Sequence, residues 1–215
     1  MLDRPRLLTA IALCLAAGSL LAAGCGDDDD GAAAGSTAAT AAPAPLAIEE
    51  RVVSDGLGGL EAVGEPRVST TPDTFARLVE DDEPAKEAAE LGSAGFVEGA
   101  VQSYAGGEVF GLSAAVQLGS PEQAQAQAER IAQEFRSDSP PNAMIEPLPG
   151  VPGSQSVTAS GSGGGQSFEI AGAVFTDGPF LYVQLAGGAA DAVDPQAALD
   201  DATALYEKVE GSPAP

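Results

Sequence analysis

Ala114-Ala115-Val116-Gln117-Leu118-Gly119-Ser120-Pro121-Glu122-Gln123-Ala124 changes its period in mid-stretch, and that change decides the fold. Upstream, Phe110, Leu112, Ala114, Val116 and Leu118 occupy alternate positions, the pattern of a strand with one buried face. Downstream, Ala124, Ala128, Ile131 and Phe135 step by four, three and four, as the core stripe of an amphipathic helix does. At the junction Ser120 can cap the helix, Pro121 suits its first turn and Gln123 completes a capping-box pattern. A strand therefore hands over directly to a helix.

The same grammar recurs on both sides of this junction. Phe96–Tyr104 and Val109–Leu118 flank Ala105-Gly106-Gly107 and read as a hairpin. Beyond the helix, Pro140-Pro141, Pro147, Pro149 and Pro152 mark an irregular crossing loop. Ser154–Ser160, Gln166–Phe175 and Phe180–Ala186 then read as three antiparallel strands, the last two joined by the turn signal Asp177-Gly178. The glycine run 161–165 lacks the Gly-Lys-Ser/Thr of a phosphate loop, so it reads as a hairpin tip. Asp194-Pro195 opens a last helix whose stripe is Ala198, Ala202, Leu205 and Val209. Upstream, Leu46–Val53 reads as an edge strand and Asp55–Gly59 as a turn. Thr71-Pro72 starts one short helix, and Pro84 starts a second that ends near Leu91-Gly92. The expected fold is α+β: an antiparallel sheet of about five to six strands with helices packed on one face. Two independent helices on one sheet account for the recurring hairpin–helix order; a pseudo-repeat of hairpin–helix units is the alternative.

The N-terminus has a different character. Arg4 and Arg6 precede an uncharged apolar run, Leu7 to Leu21, and small residues lead to Cys25 and the acidic Asp27–Asp30. This is the layout of a secretory signal, and the run is too short for a spanning helix of about 20 apolar residues. Leu20-Leu21-Ala22-Ala23-Gly24-Cys25 resembles the lipobox of bacterial lipoproteins, with leucine one place further from the cysteine than is usual there. The resemblance implies cleavage before Cys25 and lipid attachment to it, which would make the chain membrane-anchored on the extracytoplasmic side. Gly26–Pro45 has no large apolar residue and reads as a tether, on the order of 70 Å if fully extended. The expected division is 1–24 signal peptide, 25–45 lipidated cysteine and tether, and 46–215 a single extracytoplasmic domain.

Composition narrows the chemistry. The first 24 residues hold Arg4, Arg6 and Asp3, so the remainder carries 7 basic and 31 acidic side chains, a net charge of −24. Nucleic acid, which binds through Lys and Arg on phosphates, is not an expected partner. The chain has no histidine, and its two cysteines are Cys14, within the signal, and Cys25. No disulfide, thiol nucleophile or histidine base is thus expected in the domain, nor a cofactor or metal site. A Ser–Lys pair would have to use Lys86 or Lys208, both on expected helix surfaces, and no G-x-S-x-G elbow occurs. Carboxylates are too abundant for their presence to indicate a hydrolase. Asp27–Asp30 also lacks the spacing of a calcium-binding loop.

The strand-to-helix stretch 114–124, with Val174-Phe175, Gly178 and Tyr182-Val183, resembles small extracytoplasmic domains of actinobacterial lipoproteins. It also resembles, more faintly, the extracellular sensor domains of mycobacterial receptor serine/threonine kinases. Unlike those sensor domains, this chain has no cysteine after Cys25. The function expected is non-catalytic binding or sensing outside the membrane, with an unknown small ligand or envelope protein as partner. The alternative is an assembly lipoprotein acting through contact with an envelope protein, with a carboxylate hydrolase behind both. Phe96, Tyr104, Phe168 and Tyr182 are the candidate ligand-lining residues. Their placement on alternating strands fits core packing better.

Overall fold

A computed structural model of the chain describes residues 45–79, 83–105, 109–163 and 166–213. The expected signal peptide, Cys25 and the expected tether through residue 44 lie outside the described residues. So do Asp81, Asp82, Gly106, Gly107, Gly164 and Gly165.

Five long segments and three short ones make one antiparallel sheet. The strands are β1 (Glu61–Ala62), β2 (Arg67–Ser69), β3 (Glu98–Ala105) and β4 (Phe110–Gln117). After a helix come β5 (Met144–Glu146), β6 (Gln155–Gly163), β7 (Gln166–Asp177) and β8 (Phe180–Ala189). Their order is β1-β3-β4-β8-β7-β6-β5, with β2 also on β3. The α+β class and the antiparallel sheet are as expected; the sheet is wider, with eight strands. The additions are β1, β2 and β5, each of two or three residues and too short to show a period in sequence. Leu46–Val53 contributes no strand. Ile48–Arg51 is instead a 3-10 turn, because Ile48, Arg51 and Val52 are buried while Glu49 and Glu50 face solvent. The Ala47 N–H donates to the Glu50 carboxylate at 2.8 Å and closes that turn.

Helix starts fall at the expected residues. α1 (Pro72–Val79) follows Thr71, whose hydroxyl accepts from the Thr74 N–H at 3.4 Å. α2 (Pro84–Ser93) starts at its proline. In α3 (Pro121–Asp138) the Ser120 hydroxyl accepts from the Gln123 N–H, the first half of the capping box. In α4 (Pro195–Val209) the Asp194 carboxylate accepts from the Gln196 and Ala197 N–H groups. At the β7–β8 turn Gly178 takes φ +55°, which its lack of a Cβ permits.

Helices cover both faces of the sheet, not one. The α3 residues Ala124, Ala128, Ala132 and Phe135 pack with Phe75 and Leu91 of α1 and α2 over Val101, Val116, Val174 and Leu181. The α4 residues Ala202, Leu205, Tyr206 and Val209 pack with Ile48 and Val52 over Ala100, Ala115, Phe175 and Tyr182. Neighbours on one strand, such as Val174 and Phe175, thus enter different cores. Strand β4 shows why one alternating set was not the whole pattern: Ser113 and Ala115 are as buried as Ala114 and Val116. Ala115 is small enough to be overlooked as a second apolar face. The pseudo-repeat also fails on this point. A two-fold axis normal to the sheet would exchange β3-β4 with β7-β8 while keeping each face, yet α3 and α4 lie on opposite faces.

Candidate functional site

The face beneath α4 carries a row of buried polar residues. Antiparallel register sets Gln102 of β3 opposite Ser113 of β4, Ser113 opposite Gln184 of β8, and Gln184 opposite Ala173 of β7. Alternation turns all three polar side chains toward the α4 side, and each is buried. A buried amide or hydroxyl must find partners or carry the cost of desolvation. Gln102 donates to the carbonyls of Ser103, Gly64 and Val63 at 2.9, 3.3 and 3.4 Å. The Ser113 hydroxyl accepts from the Val53 N–H at 3.1 Å.

Gln184 differs. It is 2% exposed, and neither its amide oxygen nor its amide nitrogen has a hydrogen-bond partner among the described residues. Around it lie Leu57, Ala171, Ala173, Ala186, Ala198 and Leu199, none with a polar side chain. They pack between β7, β8 and α4 closely enough that no water-sized sphere fits among them. The roof is tied down at Gly58: its N–H donates to Asp201 of α4 at 2.8 Å, and its carbonyl accepts from the Asp194 N–H at 3.1 Å. Partial burial raises the Asp201 carboxyl above its usual pKa, against the lowering effect of the Gly58 N–H.

A second buried polar group lies toward the other end of α4. Arg51 is fully buried. Its Nη1 donates to the Tyr182 hydroxyl at 2.9 Å, Nη2 to the carbonyls of Pro213 and Ser212 at 2.9 and 3.4 Å, and Nε to that of Leu46 at 3.3 Å. The guanidinium also sits 3.8 Å from the centroid of the Phe180 ring, a cation–π contact. Burial pushes the Tyr182 phenol up to about 12, with Arg51 pulling the other way. This arrangement pairs the cation's donors and joins Leu46 to Ser212 and Pro213.

The aromatic residues proposed from sequence do not converge. Phe96 packs against Phe75, ring centroids 5.5 Å apart, on the α1–α2 side. Tyr104 is buried on the α4 side and donates its hydroxyl proton to the Val53 carbonyl. Tyr182 is fully buried and stacks on Phe175 at 4.8 Å. Phe168 lies across Gly161 of β6, where a Cβ would clash with its ring. Tyr104, Tyr182 and Phe96 serve the core, as their alternation implied. Lys86 pairs with Glu83 and Glu90 on an exposed helix face, and Lys208 donates to the Glu50 carbonyl. Cys25 lies outside the described residues. Sequence reading missed Gln184, although Phe180-Leu181-Tyr182-Val183-Gln184-Leu185-Ala186 shows a polar residue in phase with Tyr182 and Ala186. That phase is the usable signal. Arg51 had none, since its partners come from residues 46, 182, 212 and 213.

No family model matches the chain, and no curated protein matches it. Among solved structures it is similar to the extracellular domain of PknH from Mycobacterium tuberculosis. The TM-score is 0.48 and the identity 18%, over 77% of this chain and 97% of that one.

Proposed function

We propose that the protein is a lipid-tethered extracytoplasmic domain that binds a small ligand and catalyses no reaction. The observation that carries the binding reading is Gln184, a buried amide under α4 with both polar atoms unpaired among the described residues. Most buried polar groups in proteins are satisfied, so an exception points to a missing partner. The tether rests on the N-terminal signal ending at Cys25. Among the described residues no helix is long and apolar enough to cross a membrane. Anchoring in this reading falls to the lipid on Cys25.

The test is native mass spectrometry of the protein extracted gently from its own envelope. A reproducible extra mass beyond the covalent lipid supports the reading, and a bare chain contradicts the binding half. Cys25→Ser tests the tether separately. The variant should leave the membrane fraction, and retention there would contradict lipid anchoring.

A further inference from the structure

Building on the binding reading, we infer that Gln184 anchors a ligand site roofed by the N-terminal half of α4, and that the site takes small neutral molecules carrying a primary carboxamide. The chemistry of the occupant follows from what Gln184 lacks. Its amide offers an acceptor oxygen beside a donor nitrogen, so a partner that satisfies both must present a donor beside an acceptor. A carboxamide does this in one planar group. The walls are alanine and leucine side chains, which disfavour a bare charge. An anion is disfavoured further by Asp201, one turn along α4 from Ala198. Gln102 and Ser113 on one side, and Ser156 beyond Ala173 on the other, are satisfied by protein groups, so Gln184 is the unpaired member of the row among the described residues.

Entry requires α4 to move, because the packing around Gln184 seats no water. The helix is built to move at one end. Its C-terminal half is held by Leu205, Tyr206 and Val209, with the Tyr206 ring edge-on to Phe175 at 5.8 Å. Its N-terminal half meets the sheet through Ala198 and Ala202, with Leu199 only partly buried. Besides these it is held by Val193, buried with Leu57 just ahead of the helix, and by the two hydrogen bonds to Gly58. Lifting this end away from the loop at Gly58 uncovers Gln184 and leaves the Phe175–Tyr206 contact at the other end in place.

The experiment titrates the full chain with acetamide and propanamide while following the Gln184 side-chain NH2 resonance by NMR. N,N-dimethylacetamide, which lacks the donors, serves as control. The primary amides should move that resonance saturably and raise the Tm, and the control should do neither. Gln184→Met keeps the volume and removes both unpaired atoms. It should abolish the thermal response to the amides and raise the Tm of the free protein by about 2–4 °C. An unmoved resonance, an equal response to the control, or a lower Tm for Gln184→Met would overturn the inference. Titration of the unaltered chain decides the matter even where the variant folds poorly. Native mass spectrometry separates the two claims. An extra mass carried equally by wild type and Gln184→Met would leave the binding reading standing and this site wrong. A bare wild type with an unmoved resonance would remove both.

Discussion

Arg51 and Gln184 share one buried face and meet burial in opposite ways. Arg51 uses its donors on three carbonyls, a phenol and an aromatic ring; Gln184 uses none. Arg51→Ala should therefore cost about 3 kcal/mol, from a cavity plus stranded carbonyls and the Tyr182 hydroxyl. Arg51→Met, which refills the volume with apolar atoms, should cost clearly less. Urea unfolding of the two variants measures the difference, and equal losses would mean that the stranded polar groups, not the emptied volume, set the cost. Gly58 supplies a second residue-scale test. Its φ is +58°, and a Cβ there would meet the Ala198 Cβ at 3.0 Å and the Asp194 carbonyl at 3.2 Å. Gly58→Ala should cost about 1–3 kcal/mol and loosen the α4 N-terminus, seen as faster exchange of amides in its first two turns.

At the scale of elements, the helices were the most legible part of the sequence. Ser120-Pro121 and Asp194-Pro195 mark their starts by a chemistry local to a few residues, so no tertiary knowledge is needed to read them. Each cap accepts N–H groups at its helix start, and Ser120→Ala and Asp194→Ala should each cost about 1 kcal/mol. The two lie on opposite faces of the sheet, so the double variant should be additive within about 0.5 kcal/mol. A larger discrepancy in chemical denaturation would reveal coupling through the sheet. The long strands β3, β4, β6, β7 and β8 were legible too. The face assignments were not. Deciding that α4 crosses to the far side of the sheet requires the second buried parity of β4 and β8, where alanine, serine and glutamine hide the pattern. For the same reason the site went unread: Gln184 is informative only once its row partners, Ser113 and Ala173, are known.

The whole molecule is strongly acidic, and burial holds three of its carboxyls above their ordinary pKa. Burial raises Glu87, which faces Arg130, Glu90 and Glu134 between α2 and α3; Arg130 offsets this only in part. Burial likewise raises Asp177, near Arg51 and Glu210, and Asp201, near Asp200. An acid whose folded pKa lies above its unfolded value binds more protons in the native state. Stability then rises as pH falls through the folded pKa and levels off below the unfolded one. Relief of repulsion at a net charge of −23 acts in the same direction. The Tm should therefore increase on acidification from pH 7 to about 5, in calorimetry at fixed ionic strength, and a steady fall over that range would contradict the assignment. Arg51 joins Leu46 to Ser212 and Pro213 at the large-residue end of α4, while Gly58 holds the small-residue end. The molecule is thus firm where Tyr206 packs and releasable over Gln184.

That asymmetry is the central claim, and residue-resolved hydrogen exchange of the full chain tests it most directly. Amides 199–202 of α4 should exchange markedly faster than amides 206–209 of the same helix, and faster than amides 125–128 of α3. Propanamide should slow the first set selectively. Uniform protection along α4, unaltered by the amide, would show that the helix opens only when the whole domain unfolds, and would contradict the account of Gln184 as a gated site.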